Sequence, residues 1–181
     1  TLERRLERLR KEARADRERN PVVEAEGGIY RLLLGGRRAS TLPASEALGR
    51  LLKETPLLTA KPVIYVANVA EEDLPDGRGN PQVEAVRRKA LEEGAEVVVV
   101  SARLEAELAE LSGEEARELL AAYGLQESGL QRLARAGYRA LDLLTFFTAG
   151  EKEVRAWTVR RGTKAPKSAG EIHSDMERGF I

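Results

Sequence analysis

The 181-residue sequence contains no cysteine and only one histidine, His173. The lack of cysteine excludes a disulfide framework, a thiolate zinc site and a cysteine nucleophile, and a single histidine excludes a multi-histidine metal centre. Aromatic residues make up 4% of the chain, and 30 basic side chains are balanced by 30 acidic ones. Since the formal net charge is zero, no overall electric field draws the protein to nucleic acid or to a membrane surface.

Long apolar runs and targeting signals are lacking as well. No run approaches the length of a membrane span, and the N-terminus does not have the layout of a signal peptide. We therefore expect a soluble, cytoplasmic protein without a membrane partner. Charged residues make up 33% of the sequence, which is typical of helices with solvated outer faces.

Residues 1–58 are predicted to form a helical arm. Apolar residues recur at steps of four, three and four within residues 1–20: Leu2, Leu6, Leu9 and Ala13. So narrow a heptad stripe requires a partner helix, and because it begins at Thr1 we expect the return arm of an antiparallel hairpin. The glycine pairs at 27–28 and 35–36 are expected to bound a short apolar piece. The stripe fits an intramolecular hairpin as well as a dimer, and we expect a monomer.

Two short apolar stretches, KPVIYVANVAE (residues 61–71) and EVVVVSA (residues 96–102), predict buried strands. Between them, Asn80-Pro81 predicts the start of a helix and Gly94 its end. Strand, helix and strand in this order form a βαβ unit with parallel strands. Ligands of such sheets lie beyond the carboxyl ends of the strands, where Asn68 and Ser101 occur. These residues either contact a planar ligand or simply end a strand and start a loop.

The C-terminal part combines helices with a β-hairpin. A capping box formed by Ser112 and Glu115 begins one helix, and a second helix is predicted from about residue 128 with leucine and tyrosine on its buried face. From residue 143 the apolar period drops to two, which predicts a β-hairpin with its turn at 150–152. A loop is predicted at 162–170 and a short helix at 171–178. Because a two-stranded hairpin is marginal by itself, we expect this last domain to be incomplete.

Two further features have both a functional and a structural interpretation. Four cations follow the hairpin with no acid among them: Arg160, Arg161, Lys164 and Lys167. Beside Trp157 they would contact an RNA phosphate backbone, and the alternative is a solvated loop. His173 lies near Asp175 and Glu177 without a serine or cysteine partner motif, and we interpret it as a packing or hydrogen-bonding residue.

Residues 59–181 resemble the YchF family of Obg-related P-loop NTPases. The segments that carry the resemblance are KPVIYVANVAE, VVVVSA, LDLLTFFTAGEKEVRAWTVRRGTKAP and GEIHSDMERGFI, and residues 1–58 resemble the helical insertion of the family more loosely. The resemblance implies an α/β fold, a partial P-loop NTPase with a Rossmann-like parallel sheet. Its three parts would be a coiled-coil arm (1–58), the C-terminal half of the nucleotide-binding domain (59–142) and the N-terminal part of a β-grasp TGS domain (143–181).

The resemblance also implies that five residues bind the nucleotide base: Asn68, Val69, Glu71, Ser101 and Ala102. In ordinary GTPases this position holds Asn-Lys-x-Asp, whose aspartate accepts from two guanine donors. Here Val69 replaces the lysine, and Glu71 replaces the aspartate with a longer carboxylate. Loss of the bidentate, charge-assisted contact should reduce discrimination for guanine, so a preference for ATP with GTP second is expected. Glu71 itself either contacts the base or is a solvated loop acid.

The catalytic half of such a protein is not present in these 181 residues. No G-x-x-x-x-G-K-[ST] phosphate loop occurs, and no Walker-B-type aspartate is evident. The resemblance implies that these parts, together with Mg²⁺, precede Thr1. We therefore expect no catalytic or metal-ligating residue and no ATPase activity in this chain alone, but ATP hydrolysis and a ribosomal partner for the complete protein. The alternative is an RNA- or ribosome-binding module, with GTP binding or no NTPase activity.

Overall fold

A computed structural model describes residues 2–15 and 20–181. The chain divides into two compact units, one formed by residues up to 62 together with 92–94, and one by residues 63–91 and 95–181. No helix within the described ranges is both long and apolar enough to span a membrane.

The first unit is helical. Its helices are α1 (Leu2–Ala15), α2 (Asn20–Leu34) and α3 (Glu46–Glu54). The side chain of Ser45 caps α3 by accepting a hydrogen bond from the Leu48 amide at 3.1 Å. Four buried residues form the core of this unit: Ile29, Leu42, Leu48 and Leu51. Burial of these apolar side chains, rather than helix propensity, is the main stabilising contribution to such short helices.

The partner of α1 is the next helix, α2. Arg5 near the start of α1 binds Glu26 through two hydrogen bonds of 2.8 Å, and Glu3 accepts one from the Tyr30 hydroxyl at 2.6 Å. Contacts between the start of one helix and the later part of the next require antiparallel packing. Helix α1 thus packs antiparallel to the helix that follows it, whereas its expected role as the return arm of a hairpin and its supercoiling remain predictions. Residues 16–19 lie outside the described residues.

From the sequence, the glycine pair at 27–28 is expected to bound a short apolar piece. This prediction is wrong, because both glycines lie inside α2. Each glycine weakens a helix by about 1 kcal/mol relative to alanine. In α2 this cost is offset by the burial of Ile29 against Leu42, Leu48 and Leu51, which the local sequence does not reveal. Helix α2 ends before Gly36, whose φ of 82° suits glycine.

The second unit begins with the predicted βαβ unit. Strands β1 (Ile64–Asn68) and β2 (Glu96–Val100) are parallel, with Asn68 opposite Val100, and they are connected through helix α4 (Pro81–Glu93). The Oδ1 atom of Asn80 accepts from the amides of residues 82 and 83 and caps α4 as predicted. Val83 of α4 packs against alternate strand residues on one face of the sheet. The prediction of parallel strands is confirmed.

Three helices follow β2: α5 (Ala102–Leu108), α6 (Gly113–Ala122) and α7 (Gly129–Ala140). The predicted capping box of α6 is present, since Glu115 Oε2 accepts from the amide and hydroxyl of Ser112 at 3.0 and 2.7 Å. Helix α7 contacts both strands of the sheet. Glu105 of α5 accepts hydrogen bonds from the first amides of α7, at 2.6 Å from Gly129, and so fixes where α7 begins.

The predicted buried face of α7 is wrong in part. Leu130, Tyr138 and Leu141 are 70%, 41% and 52% exposed, whereas Gly129 and Ala136 are buried. A side chain at Gly129 would place its Cβ 2.7 Å from Val100 Cγ1. Helix α7 therefore approaches the sheet through its smallest residues, and this close approach leaves the larger ones at its margins.

The chain ends with a hairpin and two short helices. Strands β3 (Leu143–Ala149) and β4 (Val154–Arg160) pair antiparallel, which confirms the hairpin. The loop predicted at 162–170 is wrong, because α8 (Ala165–Ile172) occupies most of it and has proline in its first turn, where no amide is needed. His173 begins α9 (Ser174–Arg178): its Nδ1 accepts from the Asp175 amide at 3.2 Å, in agreement with a hydrogen-bonding role. Assignment of this region to a TGS domain remains a prediction.

Candidate nucleotide-base site

The carboxyl ends of the two parallel strands are joined by a side-chain hydrogen bond. Asn68 ends β1, and its Oδ1 accepts from the amide of Ala102 at 2.9 Å. The amide of Val69 donates to the carbonyl of Val100 at 2.8 Å and extends the pairing by one residue. The structure thus brings Asn68, Val69 and Ala102 together at the carboxyl ends of the strands, where parallel sheets bind ligands.

Ser101 also lies at the carboxyl end of the sheet, but its side chain caps a helix. The residue is 2% exposed, and its hydroxyl oxygen accepts from the Leu104 amide at 3.4 Å as the cap of α5. Of the two interpretations of Ser101, the structure therefore supports the one in which its side chain ends a strand and starts the next element, not a ligand contact of that side chain. The next residue, Ala102, is exposed, and its amide is the one that donates to Asn68.

Glu71 lies in a short 3-10 turn and is held by α6 and α5. Its Oε2 accepts a hydrogen bond of 2.9 Å from the hydroxyl of Tyr123, just after α6, and this bond raises the pKa of Tyr123. The other oxygen is buried and lies 3.3 Å from Arg103 Nε, without the alignment of a hydrogen bond. Glu71 is therefore a partly buried, partnered carboxylate and not a solvated loop acid.

A cavity of about 480 Å³ adjoins the end of β1. Asn68 and Val69 line it together with residues from the following loop and from α4. Within that loop, Asn80 Nδ2 donates to Asp73 Oδ2 at 2.8 Å. Sequence reasoning identified Asn80 only as a helix cap and missed this brace, which holds the segment that starts at Glu71.

The four cations at the end of β4 and beyond it are all exposed, but two of them have acidic partners. Arg161 Nε is 3.3 Å from Asp142 Oδ1, and Lys167 pairs with Glu177, which raises the pKa of Lys167. Within residues 2–15 and 20–181, Arg160 and Lys164 have no ion-pair partner.

An additional basic group lies on β4. The guanidinium of Arg155 is 4.2 Å from the centre of the Trp157 ring, a cation–π contact. The sequence contains the signal for it, because residues two apart in a strand share a face.

The residues that the structure describes include no group of three or more histidine, aspartate or glutamate side chains arranged to hold a metal ion.

Residues 143–181 match a family model named YchF-GTPase_C, described as a protein of unknown function (DUF933). Over its whole length the chain is 46% identical to the ribosome-binding ATPase YchF of Bacillus subtilis and covers 50% of that protein. It is 45% identical to Obg-like ATPase 1 of Rattus norvegicus over 127 residues, which cover 69% of this chain and 32% of the relative. The solved structure of the Schizosaccharomyces pombe YchF GTPase matches with a TM-score of 0.81 and 33% identity, over 99% of this chain and 50% of that one.

The chain is an α/β protein with a parallel sheet, and its fold is similar to that of the fission yeast structure. The chain belongs to the YchF family, as the resemblance of its sequence implied. It spans about half the length of the curated relatives it matches.

Proposed function

We propose that this chain supplies the base-recognition half of the nucleotide site of a YchF-type NTPase that binds and hydrolyses ATP in preference to GTP. The observation that carries the proposal is the hydrogen bond between Asn68 Oδ1 and the Ala102 amide. It joins the two loops that the family resemblance assigns to the base, at the carboxyl ends of the strands, where ligands bind. The names of the relatives, which include ATPases and a GTPase, support an NTPase.

The preference for adenine follows from the partners of Glu71. A guanine-reading carboxylate must offer both oxygens to the two donors of the base. In this chain one oxygen of Glu71 is engaged by Tyr123, and the other is buried beside Arg103. Val69 provides an apolar side chain where a lysine would cover the base plane. A bidentate contact to guanine would have to share one oxygen with Tyr123 and expose the other, which is buried beside Arg103. Discrimination in favour of guanine should therefore be reduced.

The phosphates and Mg²⁺ are assigned to residues outside these 181. The sequence has no G-x-x-x-x-G-K-[ST] loop to cradle phosphates, and its described acidic residues do not form a cluster suited to a metal. This chain would orient the base, while the remainder of the protein would carry the phosphate chemistry. The 181 residues alone are accordingly expected to have no ATPase activity.

Calorimetry on the complete protein tests the adenine assignment. ATP should bind more tightly than GTP, and Asn68→Ala should weaken ATP binding because the two loops are no longer tied. Gln126→Ala, an exposed residue that does not line the cavity beside β1, serves as the control and should leave ATP binding unchanged. A strong preference of the wild type for GTP would sink the assignment.

A second candidate is recognition of the ribosome or of RNA, in which the arm and the C-terminal hairpin form the binding module. The exposed, unpaired Arg160 and Lys164 and the Arg155–Trp157 pair favour it, because cations beside an aromatic ring suit a phosphate backbone with an adjacent base. Two relatives are named ribosome-binding ATPases. This activity is compatible with nucleotide binding in one complete protein, which we expect to be a monomer.

Cosedimentation with ribosomes tests this candidate. Reversal of Arg160 and Lys164 to glutamate should abolish binding, and further reversal of Arg161 and Lys167 should add less, because those two already have acidic partners. The matched control reverses two exposed arginines on other helices and should leave binding unchanged: Arg88→Glu and Arg117→Glu. Unchanged cosedimentation of the Arg160 and Lys164 variant would argue against the hairpin as the binding surface.

A further inference from the structure

The edge of β2 that faces away from β1 offers backbone groups for pairing. In a parallel pair, alternate residues direct both their N–H and C=O groups to the same neighbour. The Val100 carbonyl accepts from the Val69 amide, so Val100 and Val98 bond to β1. The N–H and C=O groups of Val97 and Val99 therefore point to the opposite side, where no third strand follows within the described part of the chain.

A cavity of about 290 Å³ lies along this edge. Residues 96–99 of β2 line it consecutively, together with Arg87 of α4 and three arginines of α7. Because α4 and α7 pack on opposite faces of the sheet, a cavity that touches both helices and consecutive strand residues follows the edge of β2. Arg139 binds Glu96 at the start of β2, and Gly129 lies beside Val100 at its end. The arginines of α7 are therefore spaced along the edge.

The acidic residues in this cavity are already neutralised. Three of them line it, and each is paired with an arginine: Asp76 with Arg78, Glu96 with Arg139, and Glu127 with Arg135. Arg87 and Arg132 bind the backbone carbonyls of Asp76 and Pro75 at 2.5 and 3.3 Å. Both guanidinium groups thus hold this loop at one end of the cavity.

Arg132 differs from the other arginines of the cavity. Among the residues described, it has no carboxylate partner, and its Nε is buried without a hydrogen-bond acceptor. A buried, charged donor without an acceptor is costly. The cavity therefore holds one uncompensated positive charge beside a strand edge with free donors and acceptors.

We propose that this edge of β2 is a docking site for an extended acidic peptide segment, which adds to the sheet as a strand and places a carboxylate against Arg132. Strand addition supplies both donors and acceptors to Val97 and Val99. A phosphodiester would satisfy Arg132 but has no donor for the two carbonyls, and a single phosphate ion cannot reach the backbone groups of both Val97 and Val99, so a peptide is the favoured occupant. The small volume of the cavity suits a few residues of an extended chain rather than a helix.

Hydrogen exchange on the 181-residue chain tests the docking mode. The probe is a fluorescein-labelled peptide of alternating glutamate and valine, used at concentrations where it is monomeric. Binding should slow exchange at the amides of Val97 and Val99, which have no strand partner without peptide. The amides of Val98 and Val100 should change little, because β1 already protects them. Binding without this alternation would indicate charge attraction alone and would overturn the proposal.

Fluorescence anisotropy with variants tests the role of the charge. Arg132→Gln should weaken binding of the glutamate–valine peptide about tenfold, as expected for one charge-assisted contact. Arg132→Lys should retain part of the affinity, and Arg88→Gln, an exposed arginine outside the cavity, should retain all of it. Of two peptides N-methylated at alternate amides, one in each register, the one whose methyl groups face β2 should not bind. Equal affinity of Arg132→Gln and wild type, unimpaired binding of both methylated peptides, or no binding of the acidic peptide would each overturn the proposal.

Discussion

Replacement of Glu26 with glutamine is expected to destabilise the helical arm strongly. The side chains of Glu26 and Arg5 are 1% and 9% exposed and share two hydrogen bonds of 2.8 Å. These bonds, with a further one that Arg5 donates to Glu54, raise the pKa of Arg5. Breaking a buried ion pair by removing one partner typically costs about 3–5 kcal/mol, because the other charge stays buried. Since Glu54 still contacts Arg5, the lower end of this range, about 3 kcal/mol, is expected.

The double variant Arg5→Met/Glu26→Met separates the net contribution of the ion pair to stability from the penalty of leaving one buried charge unpaired. Removal of both charges abolishes the desolvation penalty as well as the attraction, so its free energy of unfolding should lie within about 1 kcal/mol of wild type. Glu54 then loses a partner, but its side chain is 56% exposed and remains hydrated.

Urea unfolding followed by circular dichroism measures these differences, with Glu24→Gln on the exposed face of α2 as the control. A cost below about 1 kcal/mol for Glu26→Gln would refute the reasoning, because such a value is typical of a surface pair. A double variant as unstable as the single one would refute it as well.

Three further predictions concern local structure and pH. Gly27→Ala should stabilise α2 by about 0.5–1 kcal/mol in thermal unfolding, because its Cβ would meet nothing within 4 Å; a loss of stability would contradict the helical assignment. Gly129→Ala should destabilise by about 1–3 kcal/mol, since its Cβ would lie 2.7 Å from Val100 Cγ1, and an unchanged melting temperature would contradict the close packing of α7. The Ser112 hydroxyl and amide lower the pKa of Glu115 from its usual value of 4.5. The stability that this carboxylate contributes is therefore present above pH 4.5 and lost as the pH falls through the lowered pKa. The advantage of wild type over Glu115→Gln in urea unfolding should shrink at pH 3, and an advantage that does not depend on pH would exclude this origin.

The sequence predicted correctly those parts of the fold where several neighbouring features indicate the same element. Asn80-Pro81, Gly94 and two β-branched runs all indicate one βαβ unit, and the structure contains it. Helix α2 was missed because Gly27 and Gly28 are local breakers, and the contacts that override them come from elsewhere in the chain. Similarly, the spacing of apolar residues in α7 does not show that the helix approaches the sheet through glycine and alanine.

The candidate site was predictable to a similar extent. Asn68 could be placed at a strand end from the pattern alone, and its partner Ala102 begins the helix after the second strand. The partners of Glu71 could not be predicted, because Tyr123 is 52 residues away and reaches it only through tertiary packing. Nor could the sequence tell which cations would be neutralised, since Lys167 pairs with an acid of the following helix.

The most direct test of the central claim is a crystal structure of the complete protein with a non-hydrolysable ATP analogue. The account predicts that the adenine ring lies against the loops at Asn68-Val69 and Ser101-Ala102, with Glu71 still bonded to Tyr123. An adenine bound elsewhere, with these two loops free of nucleotide, would contradict the account.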